Sequence, residues 1–293
     1  MIHFSQYRKI YALISLLVIL SGIYSLIRFG LRPSIDFTGG ALVEYAYQNS
    51  FSHEEVITAE ASKIQLEVFS VQLTNNNTVI IRLNPTSQEK VTELKNNLAQ
   101  ATGQDITEVR FETVGPTLGR ELLIKTFYAI LLAIAAILLY IAWSFKNITY
   151  GISAIGALLH DLLVLIGTFS ILGHFLHVEV DALFVTAVLT TLSFSVHDTI
   201  VVFHRIREIN KITPYKNLTQ ITDIALSETM VRSVNNSITI IFMLLSLVIL
   251  GGETIRWFAF ALLVGVITGT YSSPFVAVPI LLFLSKFRGG NKV

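Results

Sequence analysis

The 293-residue sequence contains no cysteine, so no disulfide braces any part of it and every folded segment must be held by packing. Charge is also scarce. Only 14% of residues are Asp, Glu, Lys or Arg against 53% hydrophobic, with a mean hydropathy of +0.64, and a soluble core of this length would need more polar surface. Lys and Arg are missing altogether from two short segments, 174–180 and 251–255. Several chemical signatures are absent as well: there is no nucleophile elbow, no H-E-x-x-H, no paired Gly-x-Gly-Asp and no Gly-rich phosphate loop. An intramembrane hydrolase built on Asp161 and Asp198 fits poorly with those absences, and nothing supports nucleotide hydrolysis by the chain itself. No motif asks for a cofactor, a resident metal or a nucleic acid.

What is present is a series of long apolar runs. Six stretches, 10–29, 123–143, 148–172, 182–204, 230–250 and 256–284, are long enough to cross about 30 Å of hydrocarbon as helices. The first has a basic start and resembles a signal peptide, but its length and the lack of a small-x-small cleavage site favour an uncleaved span. Arg8 and Lys9, Lys146, then Arg205, Arg207, Lys211 and Lys216, and finally Lys286, Arg288 and Lys292 all fall on one side of the membrane. The positive-inside rule makes that side, and both termini, cytoplasmic. Arg28, Arg32 and Arg256 stand against the rule.

Between the first and second spans lies the one long gap. Residues 36–119 carry five basic and eleven acidic side chains, a net charge of −6, which leaves +7 for the rest. An acidic extracytoplasmic domain with basic segments facing the cytoplasm accounts for this division. Its elements read from period and punctuation. A strand at 41–47 is followed by a helix opened by Ser52 and Glu55 in a capping box and running to about Gln65. Strands at 68–74 and 79–83 flank the turn-prone Asn75, Asn76 and Asn77. Thr86 and Glu89 cap a helix to about Ala101, and 106–114 closes as a strand. The order β-α-β-β-α-β is the ferredoxin-like arrangement.

The expected architecture is therefore an α-helical membrane protein with six transmembrane helices and one small extracytoplasmic α+β domain. It divides as a cytoplasmic N-terminus and first span at 1–35, the ferredoxin-like domain at 36–121, a five-helix bundle at 122–285 and a cytoplasmic tail at 286–293.

Asp198 is the natural centre of a functional argument, because a carboxylate at mid-bilayer costs roughly 2.5–3.5 kcal/mol on insertion scales. An apolar setting favours the neutral form of a carboxyl and a nearby cation the charged form, so contact with Arg232 in the next span would decide whether Asp198 holds a proton. A static Asp198–Arg232 pair that pins the two spans together is the competing reading. Asp161, beside His160 in the third span, is either a second titrating carboxylate or an orienting group. His197 points about 100° away from Asp198 on a helix, which favours a packing role over a relay. His174, His177, Glu179 and Asp181 are types that suit a divalent ion, but nothing fixes their geometry and a polar interfacial loop accounts for them. Gly265 and Gly269 have the spacing that lets helices approach closely, and with Thr270, Ser272, Ser273 and Pro274 they form a small-residue face with a kink. Gly39 and Gly40 follow the first span where the chain must turn.

Taken together, ordered motifs carry a resemblance. They are Asp36-Phe37-Thr38-Gly39-Gly40 after the first span, Val114-Gly115-Pro116 through Gly119-Arg120-Glu121-Leu122 before the second, and His160-Asp161 in the third. Ser195-Val196-His197-Asp198-Thr199-Ile200 followed by Arg205-Ile206-Arg207-Glu208 lies in the fourth, and Gly265 through Gly269-Thr270-Tyr271-Ser272-Ser273 in the sixth. From about residue 8 to 285 the chain resembles the SecF family, the smaller of the paired SecD and SecF accessory subunits of bacterial protein export. Departures include Ser193-Phe194-Ser195, His197 and His204 in the fourth span and Asn235 and Asn236 in the fifth; Asp198 and Arg232 are retained.

The resemblance implies an RND-type half that couples proton flow to movement of the outer domain. It implies action in the cytoplasmic membrane with SecD, the SecYEG channel and exported precursor proteins during late export. It implies proton-coupling roles for Asp198, Arg232, His197, Asp161 and Asn236; the Gly265–Gly269 face is expected to pack within the bundle, with a contact seam against SecD as the alternative. It implies no enzymatic activity, and as partners these proteins and membrane lipid, with no nucleic acid. The alternative is a half-size RND exporter of lipids or small molecules, which the small outer domain of about 85 residues argues against.

Overall fold

The computed structural model describes residues 4–47, 54–73, 77–145, 147–213 and 217–287. In chain order these form a 3-10 turn (Phe4–Tyr7), α1 (Arg8–Phe29), α2 (Ile35–Thr38), β1 (Gly40–Tyr47), α3 (Glu54–Lys63), β2 (Val68–Leu73), β3 (Thr78–Leu83), α4 (Gln88–Thr102) and β4 (Ile106–Val114). There follow α5 (Pro116–Phe145), α6 (Ile148–Phe175), α7 (Ala182–Ile212), α8 (Leu218–Leu250), α9 (Glu253–Ser272), a π turn (Ser273–Ala277) and α10 (Val278–Phe287). Two compact units result, 33–127 and the remainder.

The α/β unit is an antiparallel sheet in the order β2-β3-β1-β4, the ferredoxin-like topology expected from the element order. Alternation on β1 buries Ala41, Val43, Tyr45 and Tyr47, and on β3 Val79, Ile81 and Leu83. Against that face pack Ile57 and Ala61 of α3 and Val91, Leu94 and Leu98 of α4, spaced by helical turns. The Tyr45 hydroxyl is satisfied inside this core by donating to the Val91 carbonyl at 2.7 Å. Burial pushes the Tyr45 and Tyr47 hydroxyls well above the usual tyrosine range.

The expected caps and turns are met unevenly. Helix α4 begins one residue later than the expected Thr86 cap: Ser87 is its N-cap, and its side chain makes no capping bond. The Ser52–Glu55 box involves a residue outside the described ones, as do Asn75 and Asn76, whereas Asn77 has the left-handed φ of +55° that a tight turn needs. The turn after α1 is built as its glycines suggested. Ser34 Oγ accepts from the Asp36 amide to open α2, and Gly39 and Gly40 close it with φ of +75° and +137°. A Cβ on Gly39 would stand 2.7 Å from Pro116 Cα, and one on Gly119 would stand 2.9 Å from the Gly39 nitrogen. These positions hold glycine because the chain passes itself there at backbone distance.

Six helical segments are long and apolar enough to span a membrane, which makes this a multi-pass membrane protein. Several outrun their apolar stretches: α8 starts at Leu218, not 230, and its 33 residues reach about 50 Å. The last span is not one regular helix but α9 and α10 joined by the π turn at Pro274, which gives the expected kink its physical form. Helices α6, α7 and α9 form the interior, while α5 buries none of its apolar window. Small residues set the spacing: a Cβ on Gly167 of α6 would stand 2.5 Å from Gly22 Cα of α1, and Ser25 and Ser170 join hydroxyls nearby at 2.9 Å.

Candidate functional site

Asp198 sits half-buried on α7. Its carboxylate accepts a 2.7 Å hydrogen bond from Ser233 Oγ on α8. A cavity of about 350 Å³ opens beside it, lined by Ser193, Phe194, His197, Asn236, Ser237, Gly269 and Thr270 among others. One turn beyond Ser233, Ser237 shares a 2.6 Å hydrogen bond with Thr270 Oγ1 on α9. Three helices thus meet at this cavity, α8 bonding the carboxylate of α7 through Ser233 and α9 through Ser237.

Helix α9 reaches that position because of its glycines. A Cβ on Gly265 would lie 2.0 Å from Thr191 Oγ1 and one on Gly269 3.2 Å from Ser195 Cα, both on α7. The small-residue face is therefore a contact within the bundle, and the partner that occupies it is α7.

A second carboxylate lies deeper. Asp161 on α6 is fully buried, accepting from Ser272 Oγ at 2.6 Å and from His160 Nδ1 at 2.9 Å. His160 Nε2 is buried and, among the described residues, has no hydrogen-bond partner. Next to Ser272, Ser273 exchanges a 2.9 Å hydrogen bond with Thr199, the neighbour of Asp198. The junction of α9 and the π turn thus touches Asp161 through one serine and the residue after Asp198 through the next. Tyr271 stacks on His160 with centroids 6.0 Å apart and reaches α1 through the Tyr11 carbonyl and Ser15. Hydroxyls, two carboxylates and an imidazole are thus gathered in an apolar bundle, where a hydroxyl can both give and take a hydrogen bond and a carboxylate accepts one or, when protonated, gives one.

Residues 94–287 match the family described as protein export membrane protein SecD/SecF, C-terminal, and residues 24–50 match the SecD/SecF GG motif. A protein translocase subunit SecF from Thermobaculum terrenum is 42% identical, with 98% of this chain and 97% of that one aligned. Its counterpart from Anaerolinea thermophila is 37% identical over 94% of this chain and 91% of that one. The chain belongs to the SecF family. The crystal structure of SecDF, a translocon-associated membrane protein from Thermus thermophilus, superposes with a TM-score of 0.85 at 29% identity. It covers 97% of this chain, which in turn spans 39% of that longer one.

Within this SecF-family frame, the structure gathers some of the expected residues and separates others. His197 and Asn236 line the Asp198 cavity, and His197 is exposed there, not packed. Although adjacent helix positions point about 100° apart, the cavity is wide enough to receive both side chains. Arg232 takes the opposite course. It lies beside Ser233, which faces Asp198, and so points into a neighbouring cleft of about 510 Å³ with His204, Glu208 and Thr229. Among the described residues no ion pair joins Arg232 to Asp198. The nearest strong pairing at that cleft is Arg205 with Glu208 and Glu228, at 2.6 and 2.5 Å.

The loop residues considered for a metal are otherwise engaged. His174 stacks on Phe29, His177 contacts Arg32 and Asp181 caps α7 through the Phe184 amide. Among the described residues no cluster of three or more His, Asp or Glu could hold a metal ion. The roles of Ser233, Ser237 and Tyr271 are not apparent from the sequence. The one available signal is the four-residue spacing of Ser233 and Ser237, which puts both hydroxyls on one face of α8.

Proposed function

We propose that this chain is a proton-motive-force-coupled subunit of the Sec translocase that, with SecD and the SecYEG channel, assists late export of precursor proteins. Its place is the cytoplasmic membrane, with both termini cytoplasmic. The observation that carries this reading is the partner of Asp198: a neutral hydroxyl at 2.7 Å beside an open cavity, not a fixed guanidinium. A serine donates to a carboxylate and accepts from a carboxylic acid, so Asp198 can be held in either protonation state without moving far.

Arg232, one residue along α8, supplies the alternative partner. Turning α8 about its axis by one residue's angle exchanges Ser233 for Arg232 and favours the ionised form. Proton binding and release at Asp198 would then select between two settings of α8 against α7. A charge crossing the whole membrane releases about 2.3 kcal/mol per 100 mV, enough to bias such a two-state element more than tenfold. Buried Asp161 with His160, bonded to Ser272 on the same helix α9 that carries Thr270, is the second site where a proton can rest.

The test is export of a secretory precursor into inverted vesicles holding this chain and its SecD partner, with and without a proton gradient. Asp198→Asn keeps the hydrogen bond to Ser233 but removes the titration, and late export by that variant is expected to lose its response to the gradient. An equal response in wild type and variant would leave Asp198 a structural residue and the chain a scaffold.

A further inference from the structure

Arg28 and Arg32 break the charge rule, and the structure places both at one cavity. Where α1 and α6 end, about 390 Å³ of open space is lined by Arg28, Phe29, Gly30, Arg32, His174 and His177 among others, within the size range of small-ligand sites. Among the described residues no Asp or Glu lines it. Among the described residues Arg28 makes no ion pair, and its side chain is exposed. The walls are built. Arg32 contacts His177, the Arg32 carbonyl accepts from the Val180 amide at 2.8 Å, and His174 is stacked on Phe29 with centroids 3.7 Å apart. Gly173 fits because a Cβ there would stand 3.1 Å from the Val178 carbonyl.

A guanidinium at a membrane boundary with no carboxylate beside it calls for an anion, and Arg pairs with phosphate through two parallel hydrogen bonds. The surroundings say which kind of phosphate. Tyr24, Ile27, Phe175 and Leu176 on the same helix ends are 59–82% exposed. Apolar and aromatic side chains at that depth suit acyl chains and the interfacial belt. We infer that this cavity binds the headgroup of an anionic phospholipid, its phosphodiester on Arg28 and Arg32 and its acyl chains along the exposed apolar face of α1 and the end of α6. Basic pockets between membrane helices hold lipid headgroups by this chemistry. The single negative charge of the phosphodiester would offset part of the positive charge of the two arginines that face the wrong leaflet, which eases their conflict with the orientation the other basic residues set.

Native mass spectrometry of the full chain released from micelles doped with phosphatidylglycerol or phosphatidylcholine tests the inference. Wild type is expected to retain phosphatidylglycerol in preference to phosphatidylcholine, and Arg28→Gln to weaken that retention roughly fivefold, with a similar further loss on adding Arg32→Gln. Arg28→Lys, which keeps the charge and loses the fork, should fall between. Because Arg28 is exposed and makes no ion pair among the described residues, Arg28→Gln should melt as wild type does, so its loss of lipid would not reflect unfolding. Equal retention of the two lipids, or phosphatidylglycerol retention unchanged in the double variant, overturns the site. Displacement of the lipid by added inorganic phosphate would make the free ion the ligand and overturn the lipid assignment.

Discussion

The two units of this protein are built inside out relative to each other. In the α/β unit the buried side chains are apolar and the charges face water, with Tyr45 tied off by one hydrogen bond to Val91. In the helix bundle the surface is apolar, from Leu132 to Ile249. There the interior takes the polar groups: among the described residues every buried Ser, Thr, His or Asp side chain except Ser34 belongs to the bundle. The same residue types change places because the surrounding solvent differs. Water rewards burial of carbon, whereas lipid offers no such gain, so helices meet through small residues and hydroxyls. The polar interior is thus both the bundle's means of cohesion and the place where Asp161 and Asp198 reside.

That contrast can be attacked from either side. The largest effect is expected in the apolar core: Leu94→Ala, at a fully buried position, should destabilise the α/β unit by about 2–5 kcal/mol, read as loss of amide protection in β1 and β3 by hydrogen exchange. Next comes the polar core. Ser272→Ala strips the buried Asp161 carboxylate of one donor and should cost about 1.5–3 kcal/mol in thermal stability of the detergent-solubilised chain. A variant as stable as wild type would show that the hydroxyl does not hold α9 to α6. Gly265→Ala probes packing without polarity. Its Cβ would meet Thr191 at 2.0 Å from Oγ1 and 2.7 Å from Cγ2, and separation of α7 from α9 should cost about 1–3 kcal/mol by the same assay. Should it be neutral, the small-residue seam is looser than the structure shows.

The smallest effect concerns Tyr45→Phe, expected to cost about 1 kcal/mol through the lost bond to Val91. It also carries a pH signature. Folding raises the Tyr45 pKa by burial, so the neutral hydroxyl is favoured in the folded state. The stability tied to it is fully present below about pH 10, where the unfolded chain is also protonated. It is lost as pH rises from there toward the folded-state value. Alkaline unfolding curves of the α/β unit should therefore be flatter for Tyr45→Phe than for wild type.

Much of this architecture is legible in the amino-acid sequence. Six apolar runs mark six spans because lipid demands them, and the alternation of Ala41, Val43, Tyr45 and Tyr47 marks a half-buried strand. The helix ends are harder. The first turns of α8, with Thr222 and Asp223 among them, continue the helix on polar residues that hydropathy reads as loop. At the site, Asp198 stands out as an acid in an apolar run, and Gly265 and Gly269 signal a close helix contact. The choice between Ser233 and Arg232 is hidden, because it depends on how α8 is rotated about its own axis against α7, and no pattern within one helix encodes that phase. Asp161's partner Ser272 is hidden for a related reason: serines in apolar helices commonly bond their own backbone, as Ser246 does to the Phe242 carbonyl.

The π turn at Ser273–Ala277 has a mechanical meaning. It breaks the last span into two short levers that meet at a joint, where Pro274 supplies no amide and hydroxyls of Ser272 and Ser273 lean on the Gly269 carbonyl. A torque on α10 would be delivered at that joint, beside the serine that holds Asp161 and the serine that holds Thr199, so bending the span would strain both grips at once.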